Sequence, residues 1–151
     1  MKTIFALILC SVLISCADKT FDKDFLAFEI RLAESHARVD CQNMILYNTD
    51  QTFFVCGPVY LSNTDIKSTK ITDWETHPKV EVMLNDSGRI KFAEFTGSNI
   101  GKRAAMIVDG KLISAPAINA GISEGKLIIA GFFDHEEAMR IIAGILPGKN
   151  H

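Results

Sequence analysis

Apolar residues recur along this chain at two spacings, and each change of spacing marks an element. Between positions 28 and 32 they alternate, with Phe28, Ile30 and Leu32 on one side and Glu29 and Arg31 on the other, the pattern of a half-buried strand. The polar stretch 33–40 reads as a loop. Residues 44–47 and 52–55 are apolar runs flanking Asn48-Thr49-Asp50-Gln51, a group of turn formers, and predict a β-hairpin. Gly57-Pro58 is expected to end it. Ser62-Asn63-Thr64-Asp65 supplies cap chemistry for a short helical turn, after which an extended pattern resumes over 66–74. His77-Pro78 interrupts the chain, and residues 79–84 alternate as a further strand.

The spacing then becomes helical. Asn85-Asp86-Ser87-Gly88 caps a helix over about 86–96 with Ile90, Phe92, Ala93 and Phe95 as its apolar stripe, and Gly97 and Gly101 close it. Residues 104–108 and 112–115 form a second hairpin around Asp109-Gly110, a strong short turn signal, with Pro116 as the stop. A last strand occupies 125–131. Asp134 then caps a helix whose Ala138, Met139, Ile142 and Ile145 face one way, ended by Pro147-Gly148. Strands and helices do not alternate regularly. The expected fold is an α+β two-layer sandwich, a largely antiparallel sheet with two main helices on one face, built as one domain over 25–148.

The N-terminus follows another logic. After Lys2 comes an apolar run over 4–14, too short to cross a hydrocarbon core of about 30 Å as a helix, so residues 1–15 read as an export signal. Leu13-Ile14-Ser15-Cys16 resembles the lipobox of bacterial lipoproteins, which implies a lipid on the Cys16 thiol and a mature chain beginning there. An ordinary secretory signal cut near Ala17 is the alternative. Residues 16–24 then form the lipidated cysteine and a polar tether, and the domain is expected to face the periplasm from a membrane of the bacterial envelope. Ala17 after Cys16 leans toward the outer membrane by a sorting preference of some bacteria.

Cys10 leaves with the signal, and Cys41 and Cys56 remain, equidistant from the hairpin centre. An envelope location permits disulfides, and the placement favours a Cys41–Cys56 bridge. A two-residue turn would put the pair at a hydrogen-bonded site of the ladder, where side chains stand farther apart; a longer turn or a bulge removes that objection. With no Cys-x-x-Cys motif, the bridge reads as structural and not redox-active.

Charge and candidate chemistry narrow the function. The formal net charge is −2, about −3 once Lys2 is removed, with no basic block, which argues against a nucleic-acid partner. His135-Glu136-Glu137 lacks the His-Glu-x-x-His spacing, and its acids suit the first turn of a helix. His36, His77 and His151 are scattered. Ser114 is outside any nucleophile elbow, and Asp109 belongs to a turn. Gly97 to Gly101, followed by Lys102-Arg103, closes a helix instead of opening one, contrary to a phosphate loop. Trp74, the only tryptophan, reads as core or rim packing before a ligand platform. No catalytic, metal or cofactor set emerges, and the chain is not expected to be an enzyme. The more promising surface is the tip carrying Lys102, Arg103, Ile118 and Ile122, beside a sheet edge that an extended peptide would join by strand addition. In the plainer alternative, Ile118 and Ile122 tuck into the core and loop 116–123 only connects strands.

One segment points to a family. Gly101-Lys102-Arg103-Ala104-Ala105-Met106-Ile107-Val108-Asp109-Gly110-Lys111, followed by Ser114-Ala115-Pro116, resembles the head of the first periplasmic domain of SecD, a subunit of the bacterial protein-export machinery. Phe28 to Leu32 and Pro58 to Ile66 match it loosely; Val80 to Leu84, Gly88, Phe92, Phe95-Thr96, Asn99-Ile100, Ile122, Gly125 and Ile129-Ala130-Gly131-Phe132 follow in the family's order. The resemblance implies a head that contacts translocating polypeptide. In full-length members that head is carried on a membrane part whose charged groups couple proton flow to movement. This sequence shows no such part, so the expectation is a lipid-anchored head, not a proton-driven motor by itself. Its expected partner is exported or unfolded polypeptide, with a folded envelope protein as the alternative.

Overall fold

A computed structural model of the chain describes residues 25–74 and 77–147. The expected export signal, lipidated Cys16 and tether lie outside the described residues. Eight strands and two helices follow in the order β1 (Phe28–Glu34), β2 (Cys41–Ile45), β3 (Thr52–Ser62), a 3-10 turn (Asn63–Asp65), β4 (Ile66–Thr72), β5 (Lys79–Leu84), α1 (Asp86–Ser98), β6 (Arg103–Val108), β7 (Lys111–Ser114), β8 (Lys126–Ile129) and α2 (His135–Gly144). The α+β sandwich with antiparallel sheets forms as expected. Its strands divide between a five-stranded sheet, ordered β2-β3-β1-β6-β7, and a three-stranded sheet, ordered β4-β5-β8.

One apolar core joins the two sheets and both helices. The alternation of β1 places Phe28, Ile30 and Leu32 in it, together with Val80, Val82 and Leu84 of β5, Leu127 and Ile129 of β8, Phe92 and Phe95 of α1, and Ala138 and Ile141 of α2 with its C-cap Ile145. A smaller cluster of Phe53, Val55, Ala105, Ile107 and Leu112 fills the other face of the five-stranded sheet. Strand β6 faces both clusters, so residues 104–108 are buried without alternation. Tyr47 N–H donates to the Leu112 carbonyl at 2.8 Å, tying the β2 end to β7 and curling the sheet around the smaller cluster.

Several local expectations change in the folded chain. Gly57-Pro58 does not end the hairpin strand; β3 continues to Ser62. The two residues sit in a bulge opposite Arg31, where Gly57 takes φ +71° and its carbonyl accepts from the Arg31 guanidinium at 2.6 Å. Ile90 is 61% exposed and outside the α1 stripe, which is Gly88, Phe92, Phe95 and Thr96, spaced one and two turns apart. Met139 is likewise exposed, and Ile141 takes its place in the core. Strand β7 ends at Ser114, ahead of Pro116, and Pro116 does not stop the pairing, because its carbonyl accepts from Ala104 N–H at 3.0 Å.

The Cys41–Cys56 disulfide is present. The hairpin closes with Leu46 N–H donating to the Gln51 carbonyl at 2.8 Å around a four-residue turn, 47–50. Counting back by twos from that pair puts Cys41 opposite Cys56 at a non-hydrogen-bonded site, with Cα atoms 4.2 Å apart. The longer turn supplies the register the bridge requires.

Candidate functional site

The two sheets part beside β8 and leave a slot of about 390 Å³. Gly131, two residues past β8, lies against the Ile113 carbonyl of β7. Residues 126–128 and 116–120 both line the slot. Phe92 and Thr96 of α1, Ala104 and Met106 of β6 and Ile122 complete the lining, and Lys126 is its single ionisable side chain.

Local chemistry holds this geometry. The Thr96 hydroxyl donates to the Phe92 carbonyl at 2.8 Å and accepts from Ile122 N–H at 2.8 Å, pinning loop 116–123 to the helix. Ile118 N–H donates to the Lys102 carbonyl and the Ile118 carbonyl accepts from Gly101 N–H, both at 2.8 Å. Gly101 holds φ +86°, a backbone state that a side chain resists.

The four surface residues named from sequence are placed differently from one another. Ile118 is 4% exposed and belongs to the core, forming the floor of the slot. Ile122 is 37% exposed at its rim. Lys102 and Arg103 do not line it. The Lys102 ammonium is 3.6 Å from the Glu34 carboxylate. Arg103 donates to the Ala115 carbonyl at 2.7 Å and lies over the Phe53 ring at 5.7 Å. Sequence reasoning missed Phe92, Met106 and residues 126–128 as walls; the exposed Ile128 in the apolar run 127–129 was the available signal.

A second cavity, about 560 Å³, is lined by Asn48, His77, Phe132, Asp134 and His135. Trp74, expected in core or rim packing, is 53% exposed beside it and stacks on His135 with ring centroids 5.2 Å apart. Asp134 caps α2 by accepting from Glu137 N–H at 2.9 Å. Arg140 donates two hydrogen bonds to Glu137, at 2.9 and 2.8 Å, and holds that carboxyl below the usual glutamate range. These acids serve the helix. Among the described residues no group of three or more His, Cys, Asp or Glu is placed to hold a metal ion, and no helix is long and apolar enough to cross a membrane.

Fold and slot together define a small α+β domain whose accessible feature is an apolar gap between strands. The family described as SecDF, P1 head subdomain, matches residues 42–148, and the chain belongs to it. The protein translocase subunit SecD of Sebaldella termitidis is 41% identical over 96 residues, covering 60% of this chain and 24% of that protein. The protein translocase subunit SecDF of Thermus thermophilus is 36% identical over 94 residues, 62% of this chain and 13% of that protein. The chain thus spans a quarter or less of the length of these relatives. Two solved structures share the fold. The membrane component SecDF that enhances protein export superposes with TM-score 0.64 at 24% identity, over 82% of this chain and 63% of that one. SecDF in its super-membrane-facing form gives 0.65 at 24% identity, over 79% and 18%.

Proposed function

We propose that this protein is a lipid-anchored head domain of the bacterial envelope that holds exported or unfolded polypeptide and assists its translocation. In this reading residues 1–15 are removed, Cys16 carries the lipid, 16–24 form the tether and 25–148 face the periplasm from the outer membrane. The observation that supports it most is the slot beside β8, open to solvent, apolar on both walls and nearly free of charge. Such a site suits a chain that has not yet buried its own apolar side chains. The family match over residues 42–148 includes every residue that lines it, and the relatives named above are translocase subunits.

A second reading, an interaction module for a folded envelope partner, draws on the other cavity, where Trp74 and the 65% exposed Phe132 offer aromatic surface. One comparison separates the two. Ile122→Asp places a charge at the slot rim and is expected to weaken binding of a permanently unfolded, fluorescein-labelled polypeptide by about tenfold or more, read by anisotropy. Phe132→Ala is expected to leave that affinity unchanged. No binding of the unfolded polypeptide by the wild-type chain would favour the folded partner.

A further inference from the structure

The walls of the slot carry a feature beyond their apolar side chains. Lys126, Leu127 and Ile128 are consecutive, so their side chains alternate between the two faces of β8, yet all three line the slot. What they share is the backbone edge. Strand β8 is the last of its sheet, paired with β5 on one side only.

The register decides which groups lie on that edge. Leu84 N–H donates to the Gly125 carbonyl at 2.8 Å. The pairing continues through Val82 opposite Leu127 and Val80 opposite Ile129. Hydrogen-bonded pairs alternate in an antiparallel ladder, so Leu127 and Ile129 turn their N–H and C=O groups to β5, and Lys126 and Ile128 turn theirs to the slot. The opposite wall obeys the same rule. Ala104 donates to Pro116 and Ile118 donates to Lys102, which leaves the N–H and C=O of Ala117 directed away from β6.

We infer that polypeptide is held in this slot by strand addition, its backbone pairing with the Lys126 and Ile128 edge of β8 while its side chains meet the apolar walls. This rests on the reading that the slot takes polypeptide, and adds how it does so. Main-chain hydrogen bonding explains how one narrow site accepts many sequences, because every residue other than proline offers the same two groups. The occupant is an extended segment, apolar at alternate positions and neutral or acidic beside Lys126. A helical or folded partner leaves the β8 edge unpaired.

The test uses the full chain in lipid nanodiscs and a short fluorescein-labelled peptide of alternating valine and serine. Two further versions carry N-methyl groups on one or the other alternate set of amides. An added strand turns only one set toward β8, so one version is expected to bind about tenfold or more weaker and the other to change little. On the protein side, Ile128→Pro removes an N–H that faces the slot and not β5, a position where an edge strand tolerates proline. It is expected to bind about tenfold weaker than Ile128→Ala, with folding of both checked by their denaturation midpoints. Equal binding of all three peptides by the wild-type chain, or of the peptide by both variants, would overturn strand addition and leave slot binding standing. If the wild-type chain binds no version, both fall.

Discussion

Three segments distant in sequence meet at the side chain of Asn63. Its carboxamide oxygen accepts from Phe28 N–H at 2.8 Å, and its nitrogen donates to the carbonyls of Leu26 at 2.9 Å and Ile145 at 2.7 Å. The residue is buried, so these three bonds fasten the start of β1 and the end of α2 to the 3-10 turn. Asn63→Ala leaves one donor and two acceptors without partners, and a loss of about 3 kcal/mol is expected. A urea midpoint unchanged from wild type would contradict that role. The sequence marks Asn63 only as a turn former, since its partners lie 35, 37 and 82 residues away. Ile118 and Ile122 show the same limit. Both are apolar residues of one loop, and long-range bonds decide between them: Ile118 is tied to Gly101 and Lys102 and lies in the core, while Ile122 is tied to Thr96 and sits at the rim.

Elements were legible where their determinants are local. The turn at Asp109-Gly110 takes φ +51° and +72°, a pair of positive values that glycine and aspartate accept most readily, and β6 and β7 pair around it as read. The caps at Asn85 and Asp134 likewise start both helices, each accepting from the backbone N–H three residues on. The β3 bulge was not legible, because Gly57-Pro58 spells both a chain turn and a bulge, and the choice belongs to Arg31 on the neighbouring strand. Nor does any local pattern separate an edge strand such as β8 from a central one. Strand β2 is also an edge, mostly exposed and fastened by the Cys41–Cys56 bridge. Replacing both cysteines by alanine is expected to cost about 2 to 3 kcal/mol. In hydrogen exchange the core amides of β5 are expected to lose protection by on the order of a hundredfold, in line with that cost, and those of β2 by more. Equal loss in the two strands would contradict a local role for the bridge.

At the scale of the molecule, two separate sheets share one core, and the slot opens beside β8, an edge strand of the smaller sheet. The five-stranded sheet curls so that β2 reaches β7 at Leu112, and the chain leaving β7 is drawn toward β6 by Ala104 and Lys102. Strand β8 pairs with β5 instead, and residues of both segments line the slot. A site of this kind needs no catalytic group. It asks only for apolar walls, an open edge and a chain brought to it, which the proposed lipid at Cys16 would achieve by holding the head at the membrane surface. The most direct measurement is photocrosslinking in living cells from a probe at Ile122 in the anchored protein, repeated with Cys16→Ser. The account predicts a smear of many exported chains in the membrane fraction, dependent on active export and absent from that fraction in the Cys16→Ser strain. A single discrete adduct, or none, would contradict it.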